Sequence, residues 1–259
     1  FSPDLVTFIC ILSACANMGA IDYGEQIHDQ IVMKGLLEKY VVIGNALIDM
    51  YAKCGLLGKA RRLLEELPIR DIVSWNSLIG GYAQQGQGHE ALKCQQQMQN
   101  EGCFPDEVTF VCFLSACSHS GLLNTAQLLF GSMVEKYGVT PNLEHHTCMV
   151  VGFAYVGHFE KAISVIKVMP SFDYPPVWIA LLSACRKWGN VKLGRSAFHQ
   201  VIQLDEGLGG AYVLMANIFA AAGMQEDAKK VEAMRLKHAA FEELNTTIAC
   251  AERYHSVCG

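Results

Sequence analysis

An all-α solenoid of stacked helix-turn-helix repeats is the fold this sequence specifies, because a tetrapeptide, a closing glycine and a small alanine each return at a fixed interval. The string LSAC occurs at Leu12 to Cys15, Leu114 to Cys117 and Leu182 to Cys185. The copies lie 102 and 68 residues apart, three and two multiples of the roughly 34-residue period of a two-helix solenoid unit. Between them run weaker copies of another segment: GNALIDMYAKCG (Gly44 to Gly55), WNSLIGGYAQQG (Trp75 to Gly86), TCMVVGFAYVG (Thr147 to Gly157) and MANIFAAAG (Met215 to Gly223). In each, an apolar helical face runs into a glycine, the usual residue just past a helix end. A second helix then starts about four residues on. It carries Ala60, Ala91, Ala126, Ala162 or Ala228 at the matching place, where two helices must come close.

Each unit closes on a helix breaker, at Pro68, Gly102 to Pro105, Gly138 to Pro141 and Pro170. Seven units follow, at 5–40, 41–71, 72–106, 107–142, 143–174, 175–208 and 209–240. One hairpin cannot bury its own apolar face, so stacking its neighbours makes the core.

Composition bounds the function. The chain has 259 residues, 51% of them hydrophobic, enough for a continuous core. No apolar run reaches the roughly 18 residues of a membrane span, so no membrane partner is expected. Eleven cysteines at this length fall below the density of a disulfide scaffold, and none form CxxC; they read as small hydrophobes in a reducing compartment. A net charge of −5 implies weak or local binding to nucleic acid, whose nonspecific affinity comes from lysine and arginine. The chain starts at Phe1 inside the repeat pattern, as a fragment or processed form would.

The motifs closely resemble a known family. NALIDMYAKCG with ARRLLEELPIRD is similar to the short motif of plant pentatricopeptide repeat proteins of the PLS subclass. DIVSWNSLIGGYAQQGQGHEAL resembles the standard motif and PDEVTFVCFLSACSHSGLL the long one. The first five units, of 36, 31, 35, 36 and 32 residues, fit the subclass's alternation of lengths. VWIALLSACRKWGNVKLG and AYVLMANIFAAAGMQEDA are similar to its two E motifs. The resemblance implies a right-handed superhelix with PLS-type repeats over 1–174, two E-type repeats over 175–240 and a divergent tail over 241–259. A tetratricopeptide array shares the period but binds protein; the residues of the inner face separate the two.

In the resembled family one unit faces one base, read by two or three side chains. Asn45 with Asp71 and Asn76 with Asp106 occupy the reading positions of adjacent units. An asparagine amide carries donors and acceptors that can match a base edge, and the family pattern assigns this pair to pyrimidines, uracil above cytosine. The amides are expected to face an open concave channel. Val42, Val73 and Val108 match the position that packs against base faces. Ile9, Val111 and Ile179 offer only shape at the reading position. Asn142 ends the unit of Val111, and Thr147 is a polar reader whose partner place holds Tyr174 instead of aspartate.

The resemblance thus implies a single-stranded RNA-binding specificity factor for organellar C-to-U editing, mitochondrial or alternatively chloroplast. It would recruit a cytidine deaminase or other editing factors in trans. The unit at 143–174 would sit about four nucleotides upstream of the edited cytidine, with Asn76 and Asn45 about six and seven upstream. The alternative is a scaffold repeat subunit of an organellar complex that binds protein.

No catalysis or cofactor is expected. His158-Phe159-Glu160 has the HxE spacing of zinc deaminases, but no PCxxC follows. His145 and His146 open a helix and are expected at the surface. In the tail, Ile248 and His255 are weakly in step with a family extension, and Cys250 and Cys258 do not make a metal site by themselves.

Overall fold

The computed structural model describes residues 3–238, and every regular element among them is helical. The tail from Phe241 to Gly259, including Ile248, Cys250, His255 and Cys258, lies outside the described residues.

The helices pair as hairpins. They are α1 (Leu5–Met18) with α2 (Ile21–Met33), α3 (Val41–Lys53) with α4 (Leu57–Glu66), and α5 (Ile72–Gln84) with α6 (Gly88–Asn100). Then come α7 (Glu107–His119) with α8 (Leu123–Tyr137), next in chain order α9 (Leu143–Tyr155) and α10 (Phe159–Lys167), and then α11 (Pro175–Trp188) with α12 (Val191–Leu204). Last is α13 (Gly209–Ala221), followed by a helix over 225–238 called α14. The chain is an all-α repeat solenoid. No helix among the described residues is long and apolar enough to cross a membrane.

Local sequence explains the breaks. The glycines that close the first helices take positive φ, +79° at Gly55 and +66° at Gly86, where a Cβ would be strained. Pro68 stops α4 because it lacks an N–H to donate, and Pro175 sits at the first position of α11, where that donor is not needed. The carboxylates of Asp4, Asp71 and Asp106 accept the backbone N–H of Thr7, Ser74 and Thr109 and so cap α1, α5 and α7.

Packing divides the chain into two compact units, Phe1–Gly152 and Phe153–Gly259. In the first, α1, α3, α5 and α7 stack side by side as one layer. Each second helix packs on its own partner and on the first helix of the next hairpin: α2 on α3, α4 on α5, α6 on α7. The shared core includes Phe8, Leu12, Ile43, Leu47, Leu78 and Phe110, all essentially without solvent exposure. Each contributes about 1.5–3 kcal/mol of burial. Ala60, Ala91 and Ala126 are buried at the close approaches. In the second unit α11 packs on α12 and α13 around Leu181, Leu182, Cys185, Tyr212 and Met215.

His145 and His146 depart from expectation, since both are buried. His145 Nδ1 accepts the N–H of Asn142 (3.1 Å), which leaves Nε2 to donate to the Glu107 carbonyl (2.9 Å). Burial holds this ring below the usual histidine pKa, against the opposing pull of the Glu107 carbonyl. His146 Nδ1 lies 2.8 Å from the Asn142 carbonyl, and its ring meets Phe130 edge to face. Each histidine therefore has a partner that makes its burial tolerable.

Candidate nucleic-acid interface

The residues singled out as readers lie near the start of the first helices, in the layer formed by α3, α5 and α7. Asn45 sits one turn into α3, and Asp71 is the cap of α5 in the next hairpin. Asn45 Nδ2 donates to Asp71 Oδ1 at 3.1 Å. The same bond recurs one unit later, where Asn76 Nδ2 donates to Asp106 Oδ1 at 3.2 Å.

A third member completes each column. The Ser74 hydroxyl donates to Asn45 Oδ1 at 2.5 Å, and that of Thr109 donates to Asn76 Oδ1 at 2.6 Å. Both hydroxyl oxygens also accept the cap residue's own N–H at 3.2 Å. Ser74 and Thr109 are themselves fully buried. The sequence reading missed them, although the spacing Asp-x-x-Ser/Thr at 71–74 and 106–109 is a reciprocal capping signal.

The amides do not stand free in an open channel, as expected from sequence. Asn45 is only 7% exposed, and Asn76 is part-buried. Each amide has spent one N–H and one oxygen lone pair inside the column; an amide has two of each. One donor and one acceptor site therefore remain. Val42 and Val73 stand three residues before Asn45 and Asn76 on the same helices, and Val108 lies in the first turn of α7; all three are half-exposed.

The carboxylates stay ionised. Burial raises the pKa of Asp71, but the bonds from Ser74 and Asn45 outweigh it and hold the carboxyl below its ordinary value. Asp106 is likewise depressed by Thr109 and Asn76 against its burial. The neighbouring Arg70 is engaged elsewhere, on Glu101 Oε2 (2.9 Å) and the carbonyls of Leu64 and Glu65.

The remaining predicted residues are arranged differently. Asn142 Oδ1 accepts the N–H groups of Glu144 and His145 at the start of α9, and His145 stands where the other columns have a hydroxyl. The Thr147 hydroxyl donates back to the Leu143 carbonyl of its own helix (2.8 Å). Tyr174 precedes α11 without a side-chain cap bond. His158 precedes α10, with Glu160 in its first turn. Among the described residues no group of three or more His, Cys, Asp or Glu is placed to hold a metal ion.

Helical hairpins stacked in a repeat, two adjacent ones tied to their neighbours by an identical Asn–Asp–hydroxyl column, define a helical-repeat solenoid. Comparison with known proteins gives the family. Profiles described as PPR repeat match residues 45–72, 108–137 and 144–174, one described as PPR repeat family matches 70–119, and one described as E motif matches 188–242. The chain belongs to the pentatricopeptide repeat family and carries an E motif.

It is 39% identical over 241 residues to Pentatricopeptide repeat-containing protein At4g14820 of Arabidopsis thaliana, covering 93% of this chain and 33% of that protein. It is 37% identical over 243 residues to the chloroplastic protein CRR2 of the same plant, covering 94% of this chain and 37% of that one. The chain thus spans about a third of the length of these curated relatives. Its fold matches the crystal structure of the pentatricopeptide repeat protein PPR10 in complex with an 18-nt psaJ RNA element. That match has TM-score 0.64 and 15% identity, over 93% of this chain and 41% of that chain.

Proposed function

We propose that this chain binds single-stranded RNA, with Asn45 and Asn76 reading two consecutive pyrimidines. One observation carries the reading: two adjacent hairpins hold an identical column in which an amide keeps one donor and one acceptor, with a half-exposed valine three residues before it on the same helix. A base needs such an edge and such a surface. The fold shared with a protein crystallised on RNA supports it.

The finer assignment is a non-catalytic specificity factor of organellar C-to-U editing that recruits a deaminase in trans. The E motif supports it, and the word chloroplastic in the names of two relatives supports an organelle. The setting is mitochondrial or, as the alternative, plastid.

A second reading, a scaffold that binds protein, is favoured by the 7% exposure of Asn45 and the net charge of −5. Gel-shift titrations against pyrimidine-rich and purine-rich single strands, at rising salt, distinguish the two. Pyrimidine-selective binding that falls when Asn45 and Asn76 are changed to Ala is expected of the RNA binder. No binding by a folded chain at low salt leaves the scaffold.

A further inference from the structure

We infer that the hydroxyls of Ser74 and Thr109 are positioning groups for base choice, each acting across a hairpin boundary on the asparagine of the preceding unit to favour uracil over cytosine. The inference rests on the base-reading function proposed above and adds residues and a mechanism to it.

The hydroxyl oxygens belong to the caps, since they accept the N–H of Asp71 and Asp106 at 3.2 Å, but their protons do not. Asp71 already accepts the Ser74 N–H at 2.9 Å and Asp106 the Thr109 N–H at 2.8 Å, so α5 and α7 are capped without any hydroxyl proton. The hydroxyl oxygen is within donating distance of both the amide oxygen and the carboxylate, nearer the amide at Ser74 (2.5 against 3.0 Å) and nearly equidistant at Thr109 (2.6 against 2.7 Å).

The other columns act as an internal control. Where the reading position holds Ile9, the column continues with Tyr40 and Ile43; where it holds Ile179, it continues with Leu208 and Ala211. Val111 is followed by Asn142 and His145. The hydroxyl accompanies the amide and is missing from the columns that have none.

Its effect on the amide follows from hydrogen-bond physics. The carboxylate can only accept, so it fixes Nδ2 toward itself and Oδ1 toward the hydroxyl. A donor on Oδ1 occupies one of its lone pairs and polarises the amide, which strengthens the remaining N–H as a donor and weakens the oxygen as an acceptor. Ser74 and Thr109 are fully buried, so water does not compete for this bond. The exocyclic atom that separates the two pyrimidines is a carbonyl acceptor in uracil and an amino donor in cytosine. An amide biased toward donation prefers the carbonyl.

The test uses the full 259-residue chain and an RNA that the wild type selects from a random single-stranded pool. Each uridine of that RNA is changed singly to cytidine, and affinities are compared by competition. Ser74→Ala is expected to narrow the uracil preference at one nucleotide and Thr109→Val at its neighbour, each by about threefold or more. All other positions and the helical circular-dichroism spectrum stay as in wild type, and Thr109→Ser restores the ratio. Unchanged ratios in the folded variants, or an equal loss of affinity at every position, overturn the inference. A wild type that binds RNA with no difference between uridine and cytidine overturns it while RNA binding stands. A wild type that binds no RNA overturns the proposed function as well.

Discussion

The indole of Trp188 lies against Gly157, so close that a Cβ at position 157 would come within 3.3 Å of two ring atoms. The Trp188 N–H and the Lys187 ammonium both donate to the Tyr155 carbonyl, at 3.3 and 3.0 Å. This joins the turn after α9 to the end of α11. Gly157 also holds φ at +85°, so Gly157→Ala meets both backbone strain and the ring. A loss of about 2 kcal/mol is expected. Gly223→Ala, at φ +77° with open space around it, should lose only the backbone part, about 1 kcal/mol. Urea denaturation of the two variants measures the difference.

Two adjacent glycines of α5 should respond oppositely to the same change. A Cβ on Gly81 would stand 2.5 Å from the Ala52 Cβ and 3.3 Å from its Cα, where α5 crosses α3. Gly81→Ala should cost about 1–3 kcal/mol by overpacking. Gly80 has only Cys112 Sγ nearby, at an ordinary 3.6 Å, so Gly80→Ala should gain up to about 1 kcal/mol of helix propensity. Thermal melts that rank the variants in the reverse order would refute this account of the crossing.

Acid should loosen the polar columns. The carboxyls of Asp71 and Asp106 sit below their ordinary value of 3.8 in the folded chain. Groups depressed by folding contribute stability that is present above the unfolded pKa and is lost as pH falls through the folded one. The denaturation midpoint should therefore decline below pH 3.8. The double variant Asp71→Asn, Asp106→Asn should decline less steeply, since asparagine still caps a helix. Equal slopes for the two proteins would show that the columns are not part of the acid response.

Thiol reactivity should follow burial. Burial pushes the Cys94 and Cys185 thiols up to about 12, so at pH 8 only about one molecule in ten thousand carries either thiolate. Cys10 is exposed. Iodoacetamide at pH 8, read by peptide mass spectrometry, should label Cys10 well before Cys94 or Cys185 in the native chain. Denaturant should erase the difference.

The repeat was legible because its signals are local. Gly55, Gly86, Gly157 and Gly223 end helices through a backbone conformation that favours glycine, and Ala60, Ala91 and Ala126 are small because helices cross there. The pairing of Asn45 with Asp71 could be anticipated from its recurrence one unit on. The depth of burial could not. Asn45, Ser74 and Asp71 meet across two hairpins, and whether an amide ends in solvent or in a network depends on that packing. His145 shows the same limit: a histidine near a helix start reads as exposed until the Glu107 carbonyl of the preceding hairpin is known to face it.

Each polar column is assembled from parts of two successive hairpins, the amide from one and the acid and hydroxyl from the cap and first turn of the next. The portable cassette is therefore not the hairpin. A graft cut between α4 and α5 would carry Asn45 away from Asp71 and Ser74, whereas a splice placed after the first turn of α5 would move the column whole.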